Sequence, residues 1–302
     1  KNEEIISSED LTIVGVHNIE NILAALSLGD IIGLSIANMV NATKAFKGLD
    51  HRLEFVTNID SVAGILKQIN ADVVVNTAAM HNVEKCEENP VHSFEVNGSG
   101  SRNLALICNE INSKLVHIST DYVFDGEKKQ PYIESDRPNP LNVYGNTKLS
   151  GEHFIESIGN QFYILRVSAI YGKNPCRAKG NNFVNLMLRL SDERDEVRVV
   201  DTEYVSPTFT ENIGEQIIKL IETNAEFGLY HVAAEGSCSW YEFAKEIFLI
   251  SKTETVLKIA SPSEFSAKVK RPKYSVMENK KLNGHNINIM LHWRDGLKAY
   301  LK

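Results

Sequence analysis

The sequence predicts an α/β fold in which a doubly wound parallel sheet is followed by a smaller C-terminal α/β domain. Short runs rich in β-branched residues alternate with helical patterns, which is typical of βαβ units on a parallel sheet buried on both faces. With 302 residues, the chain is long enough for a full core in one large or two interlocked domains. No repeat or low-complexity tract interrupts the pattern.

In the first half of the chain, each predicted strand is followed by a predicted helix or a loop. The order is LTIVGV with NIENILAALSLGDII, RLEFV with SVAGILKQI, DVVVNTAA with PVHSFEVNGSGSRNLALICNEI, and KLVHIS with a long loop. That loop, DYVFDGEKKQPYIESDRPNPLN, is too long for a simple connection. Long ordered loops are commonly functional, so site residues are expected there.

The second half continues the alternation with longer loops between the elements. A helix is predicted from about Val143 to Ser157, and a Gly- and Asn-rich loop lies further along. The other predicted elements are the strand QFYILRVS, the helix FVNLMLRLSDE, the strand GLYHVAA, the helix WYEFAKEIFLIS after an N-cap-like Ser239, and a closing helix that contains Trp293. Together these elements predict a Rossmann-like sheet.

Composition excludes several classes of function. The net charge is −7, with acidic and basic residues interspersed, so no positive field is available to neutralise a run of phosphates, and nucleic acid is not an expected partner. The most apolar stretch, Ile22 to Val40, is interrupted by Gly29, Asp30 and Gly33, so no membrane segment is expected. The start, KNEEIISSED, lacks the pattern of a secretory signal.

The four cysteines of the chain lie far apart. They form no CxxC pair, which speaks against a zinc site or a disulfide framework. We therefore expect reduced thiols in a cytoplasmic protein, and no metal site. The cysteines are Cys86, Cys108, Cys176 and Cys238.

Tyr144 and Lys148 stand four residues apart in YGNTK, which places them on one face of a helix. An unperturbed tyrosine titrates near ~10, and a neighbouring ammonium favours the phenolate and brings the group into range for acid–base work. By itself this spacing also suits an exposed pair with no role. The strand KLVHIS would deliver Ser119 and Thr120 to the carboxyl edge of the sheet, where such folds bind ligands. Turn capping with Asp121 is the alternative role for both hydroxyls.

A series of ordered motifs resembles the dTDP-4-dehydrorhamnose reductase family of extended short-chain dehydrogenases/reductases. The resemblance covers about residues 58–302. The motifs are NTAA, VNxxGxxNLA, STDYVFDG, PNPLNVYGNTKLSGE, LRVSAIYG, NNFVNLMLRL, RVVDTEYVSPTFT, GLYHVAAEGSCSWYEFAKEIF and RPKYSVMENKKL.

The resemblance implies an activity and a catalytic triad. The activity is hydride transfer from NADPH or NADH to C4 of a dTDP-6-deoxy-4-ketohexose, a nucleotide-sugar substrate, in dTDP-L-rhamnose biosynthesis. Thr120 would orient the ketone, Tyr144 would protonate it, and Lys148 would lower the pKa of Tyr144 and bind the nicotinamide ribose. A homodimer is also common in this superfamily.

The same resemblance assigns further binding residues. Asn97 matches the position that supports the active-site strand, although an ordinary helical Asn would look the same, and Ala78 and Ala79 could likewise be plain core alanines. Arg271 could face the diphosphate or lie in a solvated basic loop. The full set is Gly15, Ala78, Ala79, Asn97, Ser119, Tyr144 and Lys148 for the cofactor, and Thr120, Asp121, Tyr122, Phe124, Asn182, Phe183 and Arg271 for the substrate.

The N-terminal segment departs from the family pattern. A GxxGxxG turn is expected after the first strand, because glycines let the backbone approach a pyrophosphate. Here only Gly15 remains, and Asn18 and Asn21 replace the other glycines. The motifs HNxxN and FKGLxHRLE instead resemble the D-glutamate-adding Mur ligases over about residues 5–57. The sequence thus predicts a chimera-like chain: residues 1–57 as a Mur-like segment, 58–170 as the rest of the dinucleotide-binding domain, and 171–302 as mainly the substrate domain, with some elements returning to the sheet.

Two alternatives remain open at this stage. The chain could be a non-catalytic relative that has lost cofactor binding and binds a sugar nucleotide or a partner, or an epimerase or dehydratase that retains its NAD.

A second departure from the family pattern concerns the substrate: Ala169 stands where the family often has a Trp that packs on the sugar. Tyr171 or Tyr204 could compensate, but a core position is the preferred interpretation of both.

Overall fold

The computed structural model describes residues 56–174, 181–261, 264 and 268–302. Val56–Lys302 forms one unit. The first predicted strand, the helix after it and Gly15 lie outside the described residues, and so does most of the predicted strand RLEFV.

The predicted alternation of strands and helices is present throughout the described ranges. The strands are β1 Val73–Asn76, β2 Lys114–Thr120, β3 Phe162–Val167, β4 Ile170–Tyr171, β5 Glu196–Val199, β6 Tyr204–Val205, β7 Thr208–Phe209, β8 Gly228–His231, β9 Cys238–Ser239 and β10 Val256–Ile259. The α-helices are α1 Ile59–Ile69, α2 Val83–Glu88, α3 Pro90–Phe94, α4 Gly100–Glu110, α5 Val143–Ile158, α6 Phe183–Glu193, α7 Thr210–Glu222, α8 Trp240–Ser251, α9 Lys280–Gly284 and α10 Trp293–Tyr300.

The central sheet confirms the predicted parallel arrangement. Its described strands have the order β1, β2, β3, β8, and every neighbouring pair is parallel. The register pairs Asn76 with His117, Ser119 with Arg166, and Thr120 with Val167. Because parallel strands end at the same edge, the carboxyl ends of β1 and β2 bring their last side chains together.

Helix α5 covers the end of this sheet and packs with very little clearance. Asn142 caps its first turn by accepting a hydrogen bond from the Gly145 amide at 2.9 Å. A Cβ at Gly145 would lie 2.3 Å from the Tyr122 carbonyl oxygen, and one at Gly151 would lie 2.4 Å from that of Asn97. Glycine is therefore required at both positions, and α5 is held close to the backbone on two sides.

A π-helical segment, Glu95–Ser99, joins α3 to α4 and faces α5. Its wider turn contains the buried Asn97. Single π turns inside helices are often found at functional sites. Here the turn brings an amide side chain to the edge of the sheet.

A second hydrophobic cluster forms from the smaller C-terminal elements. Buried residues of α6, α8 and α10 pack there, Trp293 and Phe243 among them. Strand β5 pairs with β10 in parallel, and Ser239 caps α8 in a full capping box, as its N-cap-like position predicted. In the described ranges, no helix has both the length and the apolar character needed to cross a bilayer.

Helix α7 was not predicted from the sequence. Its buried residues Ile213, Ile217 and Leu220 follow helical spacing and join the cluster beneath β3 and β8. The helix begins at Thr210, the last residue of the motif RVVDTEYVSPTFT. Strand β8 is thus part of the central sheet, and α7 packs against that sheet. Both elements follow residue 171, where the predicted substrate domain begins.

Candidate active site

Thr120 ends β2, and Tyr144 lies in the first turn of α5, so the sheet edge and the helix start bring the two hydroxyls together. The Tyr144 hydroxyl lies near enough to the Thr120 hydroxyl for Thr120 to influence its pKa. Thr120 Oγ1 also donates to Asp121 Oδ1 at 3.1 Å and accepts from the Tyr122 amide at 3.2 Å. The turn-capping role and contact with Tyr144 therefore coexist at Thr120.

The environment of Tyr144 favours its protonated form. Burial raises the pKa of its hydroxyl above the usual range, the Thr120 hydroxyl opposes the rise, and the Asp121 charge adds to it. Lys148 was expected to lower the pKa of Tyr144, but it is not among the groups that shift this pKa. The Lys148 side-chain nitrogen instead contacts a different residue. Tyr144 is thus kept in its protonated form at neutral pH.

The residue that Lys148 contacts is His117, which was not among the site residues predicted from the sequence. Lys148 is only 2% exposed, and its Nζ lies 3.2 Å from His117 Nε2. Burial lowers the pKa of Lys148 to about 8, and the Glu152 charge opposes this shift. Burial, followed by the Lys148 charge, holds the pKa of His117 well below its usual range. A histidine between the apolar residues Val116 and Ile118 of a predicted strand was the sequence signal that could have pointed to it.

Asn97 joins the loop after β1 to α5. Its Oδ1 accepts from the Met80 amide at 2.9 Å, and its Nδ2 donates to the Met80 carbonyl and to Thr147 Oγ1, both at 2.9 Å. Because Thr147 precedes Lys148, this amide fixes the helix turn that carries both Tyr144 and Lys148. The interpretation as an ordinary helical Asn does not account for three such bonds.

Asp121 is buried at the centre of a cluster of hydroxyl groups. Its Oδ2 accepts from Ser168 at 2.9 Å and from Ser275 at 2.6 Å, while Oδ1 accepts from Thr120. Burial raises the pKa of its carboxyl, and the three hydroxyl groups oppose that rise. With 3% exposure, Asp121 positions Thr120 and has little surface left for a substrate.

Ser119 does not face the same way as Thr120, and its expected cofactor contact needs correction. Successive side chains of a strand point to opposite faces. The Ser119 hydroxyl donates to Glu152, whose carboxylate forms a buried ion pair with Arg166 at 2.6 Å. The hydroxyl is therefore occupied by this ion pair.

Tyr122 and Arg271 are brought to the same region as Tyr144. The rings of Tyr122 and Tyr144 meet edge to face with centroids 5.7 Å apart. Arg271 pairs with Glu84, its charge acts on Tyr122, and its Nε is buried without a hydrogen-bond partner. The Arg271 side chain is 34% exposed, so it is partly shielded from solvent.

Three expected substrate residues are used by the fold. Phe124 is fully buried, stacked on Tyr132 at 4.1 Å, so its side chain cannot touch a ligand. Asn182 caps α6, and its Nδ2 donates to the Gly172 carbonyl and the Tyr300 hydroxyl. Phe183 stacks with Phe243 in the second cluster. These contacts were not visible in the sequence because they join distant segments.

The two tyrosines considered as replacements for the missing Trp differ in exposure. Tyr171 is 2% exposed and lies in the second cluster, which confirms the core interpretation, whereas Tyr204 is 38% exposed. Ala169 has a positive φ of 43°, an uncommon conformation for a residue with a Cβ. Its turn separates β3 from β4.

Small residues lie beside Tyr144 and Lys148 at the sheet edge, where a dinucleotide was predicted to bind. Ala78 and Ala79 follow β1 at the sheet edge, are partly buried, and lack bulk that would keep a ligand from the backbone. With Tyr144 and Lys148 they fit the nicotinamide end of such a cofactor. In the same ranges, no group of histidine, cysteine and acidic side chains is arranged to hold a metal ion.

A family model and the individual relatives of this chain point to the same family. The family model described as RmlD substrate binding domain matches residues 28–302. The spore coat polysaccharide biosynthesis protein SpsK of Bacillus subtilis is 39% identical over 76% of this chain and 79% of its own length. The dTDP-4-dehydrorhamnose reductase of Escherichia coli is 31% identical over 81% of this chain and 84% of its own.

Solved structures agree. A crystal structure of dTDP-4-dehydrorhamnose reductase from Bacillus anthracis in complex with NADP is 38% identical, with a TM-score of 0.79 over 84% of this chain and 88% of that one. The ortholog from Clostridium acetobutylicum is 37% identical, with a TM-score of 0.77 over 82% and 85% of the two chains. The family match begins at residue 28, inside the segment 5–57 assigned to a Mur ligase, and gives that assignment no support. The chain belongs to the dTDP-4-dehydrorhamnose reductase family.

Proposed function

We propose that this chain reduces the 4-keto group of a dTDP-6-deoxy-4-ketohexose with NADPH or NADH, in the manner of the reductases that form dTDP-L-rhamnose. The observation that carries the proposal is the contact between Thr120 and Tyr144 at the carboxyl edge of the sheet, with Lys148 one helical turn further on. The relatives named as reductases and the NADP complex of one of them support it.

In this proposal the protein supplies binding, orientation and a proton. The nicotinamide cofactor supplies the hydride to C4. The Thr120 hydroxyl holds the ketone oxygen, and Tyr144, whose raised pKa keeps it protonated, gives its proton to that oxygen as the alcohol forms. Tyr144, Lys148 and the backbone at Ala78 and Ala79 would hold the nicotinamide ribose, and Asn97 keeps the helix turn in place.

The substrate side of the site is proposed around Tyr122 and Arg271. Tyr122 offers a ring edge beside Tyr144, and Arg271 has a buried Nε with an unused donor that a diphosphate oxygen could accept. Asp121 acts through Thr120 in this proposal, because its own oxygens are already hydrogen bonded. The substrate class thus follows from a cation and an aromatic edge next to the proton donor.

The test is NAD(P)H oxidation by the purified chain with dTDP-4-dehydrorhamnose, compared with Tyr144→Phe. Loss of one general acid is expected to lower kcat by about 10²- to 10⁴-fold. Tyr241→Phe, a partly buried tyrosine of the second cluster, is the matched control and should keep the rate. An unchanged rate in Tyr144→Phe would refute the proton-donor role.

A non-catalytic relative is the second candidate. The sequence feature that favours it is the loss of the GxxGxxG glycines except Gly15. Titration of the cofactor-free chain with NADPH, followed by nicotinamide fluorescence, separates the two. Saturable binding favours the reductase, and its absence up to millimolar concentrations favours a chain that binds only the sugar nucleotide or a partner.

The N-terminal segment and the assembly are part of the proposal. A Mur-like origin for residues 5–57 rests only on the motifs HNxxN and FKGLxHRLE, and cofactor binding is the property that such an origin would alter. A homodimer is proposed, and sedimentation velocity of the purified chain tests it. The cytoplasmic location stays a prediction.

A further inference from the structure

We propose that Asn142 is a positioning residue, whose side chain joins a C-terminal segment to the first turn of α5. The segment, residues 270–275, carries Arg271, and the helix turn carries Tyr144. The Asn142–Lys270 hydrogen bond sets the distance between the group proposed to bind the diphosphate and the group proposed to donate the proton. This inference rests on the proposed function and adds to it a residue that fixes the spacing within the substrate site.

Asn142 is buried and uses both ends of its amide. Its Oδ1 accepts from the Gly145 amide at 2.9 Å, which caps the helix, and its Nδ2 donates to the Lys270 carbonyl at 2.9 Å. The two ends cannot be exchanged, because an amide nitrogen only donates and an amide oxygen only accepts. Serine or aspartate would cap the helix equally well, whereas the bond to Lys270 requires a side-chain donor of this length.

The Asn142–Lys270 bond connects Arg271 and Tyr144 through short stretches of backbone. Arg271 follows Lys270 directly, and Tyr144 follows Asn142 by two residues. Tyr122 lies between them, since its ring meets that of Tyr144 with centroids 5.7 Å apart and its hydroxyl is influenced by the Arg271 charge. The guanidinium and the proposed proton donor therefore flank the same ring.

Proline makes the segment stiff beside Arg271. Pro272 fixes its own φ, and Arg271, as the residue before a proline, is biased toward an extended backbone. A Cβ at Gly126 would lie 2.7 Å from the Lys273 amide nitrogen, so the loop that contains Gly126 holds the segment closely. A displacement of Lys270 is therefore passed on to Arg271.

The far end of the segment is anchored to the other proposed catalytic hydroxyl. Ser275 Oγ donates to Asp121 Oδ2 at 2.6 Å, and Oδ1 of that carboxylate accepts from Thr120 at 3.1 Å. Backbone hydrogen bonds with β6 hold this end as well. The segment thus reaches Thr120 at this end and the helix turn of Tyr144 at the other.

The Arg271 side chain has a contact of its own in addition to the backbone anchors. Its Nη2 pairs with Glu84 of α2, while its Nε is buried without a hydrogen-bond partner. The ion pair orients the guanidinium, and the Asn142–Lys270 bond places the backbone from which it extends. The protein therefore sets the position of the guanidinium relative to Tyr144.

A nucleotide sugar contacts both groups, whereas dTDP contacts one of them. In the proposed site the diphosphate meets Arg271 and the C4 carbonyl oxygen meets Tyr144, so a fixed spacing aligns the ketone with the proton donor. A misplacement of about 1 Å lowers turnover by roughly 100-fold in well-aligned sites. dTDP has no sugar and binds without that constraint.

The deciding variant is Asn142→Ser. The serine hydroxyl keeps the helix cap but is too short to donate to the Lys270 carbonyl. With dTDP-4-dehydrorhamnose, kcat should fall about 10- to 100-fold, while the dTDP dissociation constant, measured by calorimetry, should stay within about threefold. Asn58→Ser makes the same substitution at the exposed N-cap of α1 and should change neither quantity.

A double-mutant cycle with Arg271→Gln separates positioning from a general weakening of the helix. Because Asn142 acts through Arg271, Asn142→Ser should lower kcat much less in the Arg271→Gln background than in the wild type. Additive effects would show that Asn142 only supports the helix and would overturn the inference. If Asn142→Ser does not fold, Asn142→Asp takes its place, since it keeps the cap and the side-chain size but removes the donor.

Hydrogen exchange of the full-length chain tests the Asn142–Lys270 bond without turnover. In Asn142→Ser, the amides of residues 270–275 should exchange at least about threefold faster, while the capped Gly145 amide should keep its rate. Unchanged exchange in the segment would overturn the inference even in an active reductase. A wild type without turnover would refute the proposed function instead, and exchange would then decide by itself whether the bond holds the segment.

Discussion

Tyr144 and Lys148 show how burial acts on two ionisable groups of opposite charge type. Desolvation disfavours whichever form is charged, so it raises the pKa of the tyrosine and lowers that of the lysine. Both side chains are thereby pushed toward their neutral forms. A protonated tyrosine is the form that a ketone reduction requires.

Lys148 should give the free energy of unfolding a recognisable pH dependence. Its folded-state pKa, about 8, lies below the ordinary value of 10.5. The unfolded chain therefore binds more protons between these values, and stability rises with pH across that interval. Its contribution is fully present above 10.5 and is lost as the pH falls toward 8.

Urea unfolding of the wild type and Lys148→Met at several pH values checks this expectation. The difference in the free energy of unfolding between the wild type and Lys148→Met should change by up to roughly 3 kcal/mol between the two pKa values. Lys85→Met, on the short helix α2, is a control with the same substitution at an exposed position. A difference that is flat with pH would mean that Lys148 is not buried as the structure has it.

At the scale of elements, the Glu152–Arg166 ion pair ties α5 to the sheet. Both side chains are at most 3% exposed, and Arg166 receives further support from the Phe124 ring at 5.1 Å. Removing one partner of a buried pair leaves a charge without compensation, which costs about 3–5 kcal/mol. The helix that carries Tyr144 depends on this pair for its position.

Glu152→Gln should therefore lower the free energy of unfolding by about 3 kcal/mol or more, measured by urea denaturation at neutral pH. Glu156→Gln lies one helical turn further on the same helix, at an exposed position, and should change stability by less than about 1 kcal/mol. Equal effects of the two variants would contradict the argument.

The close contact between α5 and the π segment leads to a second expectation at this scale. In Gly151→Ala the new Cβ would lie 2.4 Å from the Asn97 carbonyl oxygen, so the helix must move away. We expect a loss of about 1–3 kcal/mol in stability and a lower kcat, because Asn97 and Thr147 are displaced together.

Gly64→Ala is the matched control for this substitution. Gly64 also lies in a helix, but nothing lies within 4 Å of its added Cβ. That variant should be stabilised by about 0.4–1 kcal/mol, since alanine loses less backbone entropy on folding. Thermal unfolding of both variants compares them directly, and a stabilised Gly151→Ala would refute the packing argument.

At the scale of the whole molecule, the fold of the described residues is similar to that of solved dTDP-4-dehydrorhamnose reductases. The N-terminal segment before them lacks two of the three glycines of the GxxGxxG turn. The central sheet supplies the catalytic edge, and the cluster of α6, α8 and α10 forms the second body of side chains. We therefore predict that cofactor affinity depends mainly on residues 1–57 and that turnover depends on the rest of the chain.

Exchanging that segment tests the division. Residues 1–57 are replaced by the matching segment of the Bacillus anthracis relative that was solved with NADP. Affinity for NADPH, followed by fluorescence, should rise at least about tenfold, because glycines allow the backbone to approach the pyrophosphate. The same exchange combined with Tyr144→Phe should bind equally well but turn over slowly. Unchanged affinity would show that the native segment already binds the cofactor.

Periodicity and motif order in the sequence determined the parallel sheet, α5 with Tyr144 and Lys148, and the place of Thr120 at the end of β2. These features are local, because the spacing of apolar residues along one segment fixes which of its faces is buried. Helix α7 carries the same local signal in the spacing of Ile213, Ile217 and Leu220, although it was not predicted.

Only the tertiary structure decided which partner each polar side chain meets. Strand register sets Ser119 beside Arg166 and His117 beside Asn76, so Ser119 turns to an ion pair and His117 to Lys148. Phe124 was wrongly expected to contact a substrate, since its burial depends on Tyr132 and on β8. The physical reason is that hydrogen bonds and desolvation depend on neighbours brought together by the crossovers, and a sequence segment contains no information about the segment that will face it.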